Sequence, residues 1–365
     1  MTDQYAQAGV DYDVLDAAKR IAIAAARATS DQLLAHGGAA ADESRGEPAF
    51  LFSLGDVSLA FVLECLGTKS LLARQYQDET GADLFRNVGI DSVAAVVNDL
   101  CCVGALPLVV NAYFATGSPD WYADEGRFKS LTAGWADACV ISGATWGGGE
   151  SPSLAGLVSE HDVEIAGSAV GHVPAGVEPI LGKDLAPGDE IVLIASTGLH
   201  ANGASLVRKL GAELPDGLRT RLPSGKTFGE AALAASALYV PVVKTLLEER
   251  VPVTYLSHIT GHGLRKVMRA DRDLTYRITS LPAVPEVLSF MAAKLGMDDE
   301  DAYGTFNMGA GFAVYCRPGS GDDVVALTEE CGHLAVVAGA VEEGERRVVL
   351  EPLGVEYSSA ALSLR

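Results

Sequence analysis

Residues 171–190, GHVPAGVEPILGKDLAPGDE, crowd glycine, proline and charge between two apolar runs, and no other segment limits the possible folds of this chain so strongly. Punctuation of this kind marks a domain junction. It divides the 365 residues into 1–175 and 176–365, each long enough to bury its own core. In the first half the spacing of apolar residues predicts an amphipathic helix over 14–36, two strands within 49–64 broken at Gly55-Asp56, and a helix from about Thr68. A helix over 91–103, a strand over 107–115, a helix over 121–142 and a turn at Gly147-Gly148-Gly149 follow. In the second half, 190–196 and 253–259 read as strands, and 203–211, 228–250 and 285–296 as helices. Both halves are therefore expected to be α+β.

Charge narrows the possible partners. Lys+Arg 27 against Asp+Glu 48 leaves a formal net charge of −21, a field that repels a polyphosphate backbone, so nucleic acid is not an expected partner. The acidic excess is heavier before residue 175, which makes that half the better place for a carboxylate metal site. The most apolar stretch, Val93 to Ala115, is interrupted by Asn98, Asp99 and Asn111, so no membrane span is expected. The six cysteines lie in apolar surroundings without a CxxC pair, and the first twenty residues lack a basic and apolar leader pattern. Reduced buried thiols in a cytoplasmic protein are the expectation.

Several short motifs could carry chemistry. Gly67-Thr68-Lys69 stands between an apolar strand and a helix, where amides, a hydroxyl and an ammonium can hold a phosphate, and Glu64 lies three residues ahead. A capped glycine turn with a solvated lysine gives the same string. Asn98-Asp99 sits in an otherwise apolar helix, where a carboxylate is costly unless paired, metal-bound or turned to water. Gly149-Glu150 follows two further glycines and allows close backbone approach to a ligand, or is a loop in water. His200-Ala201-Asn202-Gly203 and His258-Ile259-Thr260-Gly261-His262-Gly263 each join a strand to a helix start, the second leading to Arg265 and Lys266. Asn202 could equally be a plain N-cap, and a histidine at a strand end is more often structural than catalytic. The remaining histidines, His36, His161, His172 and His333, have no partner at metal-ligand spacing, and no zinc site is expected.

The order of these pieces carries more than any one of them. Ala8-Gly9-Val10-Asp11, Gly67-Thr68-Lys69, Gly89-Ile90-Asp91, Val97-Asn98-Asp99-Leu100, Gly148-Gly149-Glu150, His200 to Gly203 with Ser205 to Lys209, His258 to Gly261 and Thr305-Phe306-Asn307 run collinearly over about residues 5–312. The series resembles the phosphoribosylformylglycinamidine cyclo-ligase (aminoimidazole ribonucleotide synthetase) family. That resemblance implies a two-domain α+β fold, with an N-terminal domain that binds ATP and Mg²⁺ and forms a homodimer, and a C-terminal α/β domain. It also implies an ATP-dependent ring closure. The formyl amide oxygen of a phosphoribosyl amidine takes the γ-phosphoryl group, an amidine nitrogen attacks the activated carbon, and phosphate leaves.

On this basis Glu64 and Asp99 are the expected Mg²⁺ ligands, and Lys69, Asp99 and His258 the expected catalytic groups. Gly67, Thr68, Lys69, Asn98, Gly149, Glu150, Asn202, Gly203, Thr260 and Gly261 are the expected nucleotide and substrate contacts. The chain departs from the family pattern in five places. The acidic segment 37–48 replaces a glycine- and Phe-containing loop, Glu64-Cys65-Leu66 replaces the usual Asp-Gly-Val, Asn111 replaces an aspartate, Ser151-Pro152-Ser153-Leu154-Ala155 replaces Thr-Ala-Glu-Met-Pro, and His262 replaces a glycine of Gly-Gly-Gly. Two alternatives follow from these changes: a paralogue that phosphorylates an amide or related oxygen of another small molecule, and a nucleotide-binding subunit without catalysis.

Overall fold

The computed structural model describes residues 12–362; the Ala8-Gly9-Val10-Asp11 piece lies outside them. Two mixed sheets organise the chain. The first contains β1 (Gly38–Ala41), β2 (Phe50–Leu54), β3 (Val57–Cys65), β4 (Leu106–Thr116), β5 (Thr145–Glu150) and β6 (Val163–His172), in the order β1-β2-β3-β6-β4-β5. All its pairs are antiparallel except β4 with β5. The second contains β7 (Glu190–Ala195), β8 (Val253–His258), β9 (Leu274–Ile278), β10 (Ala310–Cys316), β11 (Ala335–Glu343), β12 (Arg347–Leu350) and β13 (Val355–Ser358), in the order β13-β12-β9-β11-β7-β10-β8. The fold is α+β in both halves.

Helices α1 (Tyr12–Arg27), α2 (Lys69–Thr80), α3 (Phe85–Cys101) and α4 (Glu125–Ile141) belong to the first half. Alternation along β3 turns Ala60 and Val62 toward α3, where both are buried, and leaves Phe61 and Leu63 on the opposite, exposed face. Helices α3 and α4 approach so closely that a Cβ at Gly89 would stand 2.2 Å from the Leu131 carbonyl oxygen. Glycine is required there by the neighbouring helix.

Local chemistry explains where elements differ from the sequence expectations. The 14–36 helix stops at Arg27 because Thr29 Oγ1 donates to the Ala26 carbonyl at 2.7 Å, and a 3₁₀ segment, Ser30–His36, continues to a left-handed Gly37. The 91–103 helix begins earlier, at Phe85, whose N–H donates to Asp83 Oδ1 at 2.8 Å. Asp124 breaks 121–142 by accepting from Arg127 N at 3.1 Å as an N-cap. The expected turn at 147–149 is instead strand β5; its glycines bring it close to β4, since a Cβ at Gly147 would lie 2.6 Å from Val109 Cγ1.

The expected 228–250 helix divides into α5 (Phe228–Ala232) and α6 (Val240–Glu248), with Pro241 opening the second. Residues 233–239 between them form a strap against the first half. Of the six cysteines, all free, Cys65 is exposed and Cys331 half-buried rather than buried. No helix among the described residues is long and apolar enough to cross a membrane.

Candidate functional site

The two sheets meet where β3 and β8 end. Glu64 has the strand parity of Ala60 and Val62, so it points to the α3 side, opposite Gly167 on β6. There it comes beside Asp99, in the last turn of α3. From the second half, β8 delivers His258, and the turn after it leads into the 3₁₀ segment Gly263–Met268, which carries Lys266. Together these elements enclose a cleft of about 530 Å³ whose walls include Glu47, Glu64, Gly67, Asp99, Asn202, His258, Thr260, Gly261, His262, Lys266 and Arg269. Seven of the expected site residues are thus brought together from both halves of the chain.

The geometry links two of them directly. Asp99 Oδ1 lies 2.6 Å from His258 Nδ1, both side chains being largely buried. An ionised carboxylate can only accept, so the Nδ1 proton points at Asp99 and the ring is fixed in one tautomer. Burial alone would raise the Asp99 pKa, but the hydrogen bond from His258 and the charges of His258, Lys266 and Arg269 hold it below its ordinary value. For Glu64, burial comes first, the Asp99 charge adds to it, and together they push it up to about 7. The two neighbouring carboxyls therefore titrate apart: Asp99 stays charged while Glu64 holds a proton close to neutrality.

The cations of the cleft are less exposed than the sequence suggests. Lys266 is buried, donates from Nζ to Thr260 Oγ1, and burial pulls its pKa down to about 8. Arg269 donates from Nη2 to the Gly46 carbonyl at 2.9 Å and has Nε 3.7 Å from Glu47 Oε2, an atom that also accepts from Tyr255 Oη at 2.8 Å. Glu47 lies in the stretch 37–48, GGAAADESRGEP, which is small, polar and acidic in sequence. Its burial comes from Tyr255 and Arg269, more than 200 residues away, and no local pattern announces it.

Other expected site residues lie elsewhere. Lys69 is fully buried with Nζ 2.7 Å from Asp91 Oδ2 and 3.3 Å from the Ala234 carbonyl oxygen, so it faces the strap and not the cleft. Asn98 also holds the strap: its Nδ2 donates to the Ala237 carbonyl at 2.9 Å and its Oδ1 accepts from Tyr239 N at 2.9 Å. Thr68 Oγ1 is 2.8 Å from Ser205 Oγ and borders a separate 350 Å³ hollow with Gly67 and Asp162. Gly203, at φ 103°, is packed against Leu199 and Phe306. Gly149 and Glu150 are exposed on the outer strand β5. His200 lies behind the cleft, and burial keeps it neutral.

Among the described residues no three His, Cys, Asp or Glu side chains converge as a metal-binding group. Glu64 and Asp99 nevertheless fit Mg²⁺, which takes one or two carboxylates and completes its shell with ligand oxygens and water.

Two α+β units closing on a cleft of paired carboxyls, imidazole and buried cations define a class of two-domain proteins that handle charged small molecules at the domain junction. A solved member of the same fold is the hydrogenase maturation protein HypE in complex with ATP, with a TM-score of 0.59 at 19% identity, covering 82% of this chain and 83% of that one. The chain belongs to the AIR synthase related family, matching its N-terminal domain over residues 46–173 and its C-terminal domain over residues 186–351. It is 32% identical over 292 residues to the phosphoribosylformylglycinamidine cyclo-ligase of Methanothermobacter thermautotrophicus, covering 79% of this chain and 82% of that protein. The cyclo-ligase of Alkaliphilus oremlandii is 34% identical over 274 residues, 73% of this chain and 78% of the relative.

Proposed function

We propose that the chain is an ATP-dependent cyclo-ligase that closes formylglycinamidine ribonucleotide to aminoimidazole ribonucleotide, with residues 1–175 and 176–365 as its two domains. The observation that supports this most is the meeting of Glu64 and Asp99 from one half with His258, Thr260 and Gly261 from the other, in a single cleft of about 530 Å³. Ring closure of this kind needs positioning and charge stabilisation more than a protein nucleophile, because the attacking nitrogen belongs to the substrate. Glu64 and Asp99 would hold Mg²⁺, which when bound neutralises phosphate charge. Asp99 also orients His258, whose imidazole is then placed to accept the proton that the amidine nitrogen gives up. Thr260, Gly261 and Asn202 position ligand groups along the second wall.

The exposed apolar face of the first sheet supports a homodimer. Phe61, Leu63 and Val109 are 43%, 66% and 37% exposed on that face, which no element of the chain covers among the described residues. A cytoplasmic location accords with six free thiols.

The test is purified protein with ATP, Mg²⁺ and formylglycinamidine ribonucleotide, followed by diazo coupling for the aminoimidazole. ADP and cyclised product should appear in equal amounts. Absence of product, with another amide supporting ATP turnover, would favour the paralogue. One observation already bears on that second possibility: Glu64, Cys65 and His262 all line the cleft at positions where the family pattern has smaller residues.

A further inference from the structure

Two buried cations of the cleft help keep Asp99 charged but touch no ligand group in the chemistry above. Lys266 is 8% exposed, and its head group is fixed at both ends of the residue. The backbone carbonyl accepts from Ser257 Oγ at 2.9 Å, while Nζ donates to Thr260 Oγ1. Among the described residues no carboxylate lies within ion-pair distance of that ammonium, although the charges of Asp99 and Glu64 act on it. Arg269, on the same wall, has a side chain only 10% exposed. Its Nε is buried and receives no hydrogen-bond acceptor, since Glu47 stands 3.7 Å away and is engaged by Tyr255.

The Lys266 ammonium donates to a neutral hydroxyl and the Arg269 Nε–H to nothing, so although Asp99, Glu64 and Glu47 lie near, both cations keep donor capacity that an entering anion can take up. Lys69, which the sequence suggests for phosphate, cannot serve in this arrangement because Asp91 and the strap enclose it. Lys266 is the lysine that lines the cleft.

We infer that Lys266 and Arg269 form an anion subsite that takes a phosphate dianion of the ligand, Lys266 as a point charge and Arg269 through its free Nε–H. The dianion would come from the ribose 5-phosphate of the substrate or from the terminal phosphate of ATP. The subsite shares the cleft with the carboxyl pair, so acidic and basic groups line one cavity in a chain of net charge −21. The inference uses the proposed reaction only to choose its probes. Burial, with the Arg269 charge beside it, pulls the Lys266 pKa down to about 8 against the opposing Asp99 and Glu64 charges, and an incoming dianion would raise it.

Calorimetric titration of the full-length protein with ribose 5-phosphate, ADP and a non-hydrolysable ATP analogue, each with Mg²⁺, tests the subsite. If the substrate phosphate is the occupant, Lys266→Met should weaken ribose 5-phosphate by about 10- to 100-fold and leave ADP unchanged. If the terminal phosphate of ATP is the occupant, the same variant should weaken the ATP analogue by that factor with ADP again unchanged. Lys266→Arg should restore much of either loss, and circular dichroism with a melting curve confirms that each variant is folded. Folded Lys266→Met and Arg269→Met proteins that bind all three ligands like the parent would overturn the inference. A parent protein that binds ribose 5-phosphate through Lys266 but closes no imidazole ring would refute the cyclo-ligase function and keep the subsite.

Discussion

Replacing Lys69 by methionine separates a structural lysine from a phosphate-binding one. At 2.7 Å the Lys69–Asp91 attraction is about 6 kcal/mol at an effective dielectric of ~20, before the cost of desolvating both groups. Asp91 Oδ1 accepts from Ser236 N at 2.8 Å and from Ser236 Oγ, but Oδ2 receives no hydrogen bond, so the ammonium alone compensates it. Methionine keeps most of the volume and leaves a buried bare carboxylate, for which the expected loss is about 3–5 kcal/mol. For a domain of this size that corresponds to a fall in Tm of roughly 6–20 °C, read by scanning calorimetry or urea unfolding. Lys69→Met/Asp91→Leu should recover part of the loss, because no charge is then stranded, and the cycle should show a coupling of about 1–3 kcal/mol. The opposite pattern would refute the placement: a Lys69→Met protein that melts like its parent yet has lost ATP turnover would mean that the lysine leaves Asp91 to meet the ligand.

Glu64→Gln and Asp99→Asn should each raise the Mg²⁺ concentration needed for half-maximal ATP turnover by ten-fold or more, as a hard cation loses one of two carboxylates (~10–100-fold); two parent-like titrations would remove both residues from the metal site. Glu64 should also make stability depend on pH. Its folded value of about 7 lies above the ordinary 4.5, so the folded state holds the extra proton in that window. Stability should therefore be fullest below about 4.5 and fall as pH rises to about 7, and the Glu64→Gln protein should lack that component of the slope in denaturant titrations. His262 adopts a left-handed φ of 71°, so His262→Gly should exceed His262→Ala in stability by roughly 0.5–1 kcal/mol, both having lost the imidazole. Phe61→Glu or Leu63→Glu should give a monomer in sedimentation at micromolar concentration while keeping the parent's circular dichroism, and an unchanged dimer would place the interface elsewhere.

The parts legible in the sequence are those whose cause is local. The apolar runs within 49–64, broken at Gly55-Asp56, predict two strands, and the alternating burial along the second puts Glu64 on the helix side. The apolar run after Asp91 predicts a helix, and the cost of a carboxylate within it singles out Asp99. What the sequence conceals is pairing at long range. Nothing near Asp99 announces His258, 159 residues later, or that Glu64 will be desolvated beside it.

The strap shows the same limit with the opposite sign. Residues 228–250 carry enough alanine and leucine to read as one helix, and local propensity favours that outcome. Tertiary contacts override it: Asp91 takes the Ser236 amide, Asn98 takes both the Ala237 carbonyl and the Tyr239 amide, and Lys69 takes the Ala234 carbonyl. Each of these backbone groups would have paired within a helix, so the polar side chains of α2 and α3 act as substitute partners for an unwound segment. This also explains why Lys69, Asp91 and Asn98 stand together in the sequence motifs yet do not line the cleft. They fasten the second half of the chain onto the helix that carries Asp99, and so hold Asp99 at hydrogen-bonding distance from His258.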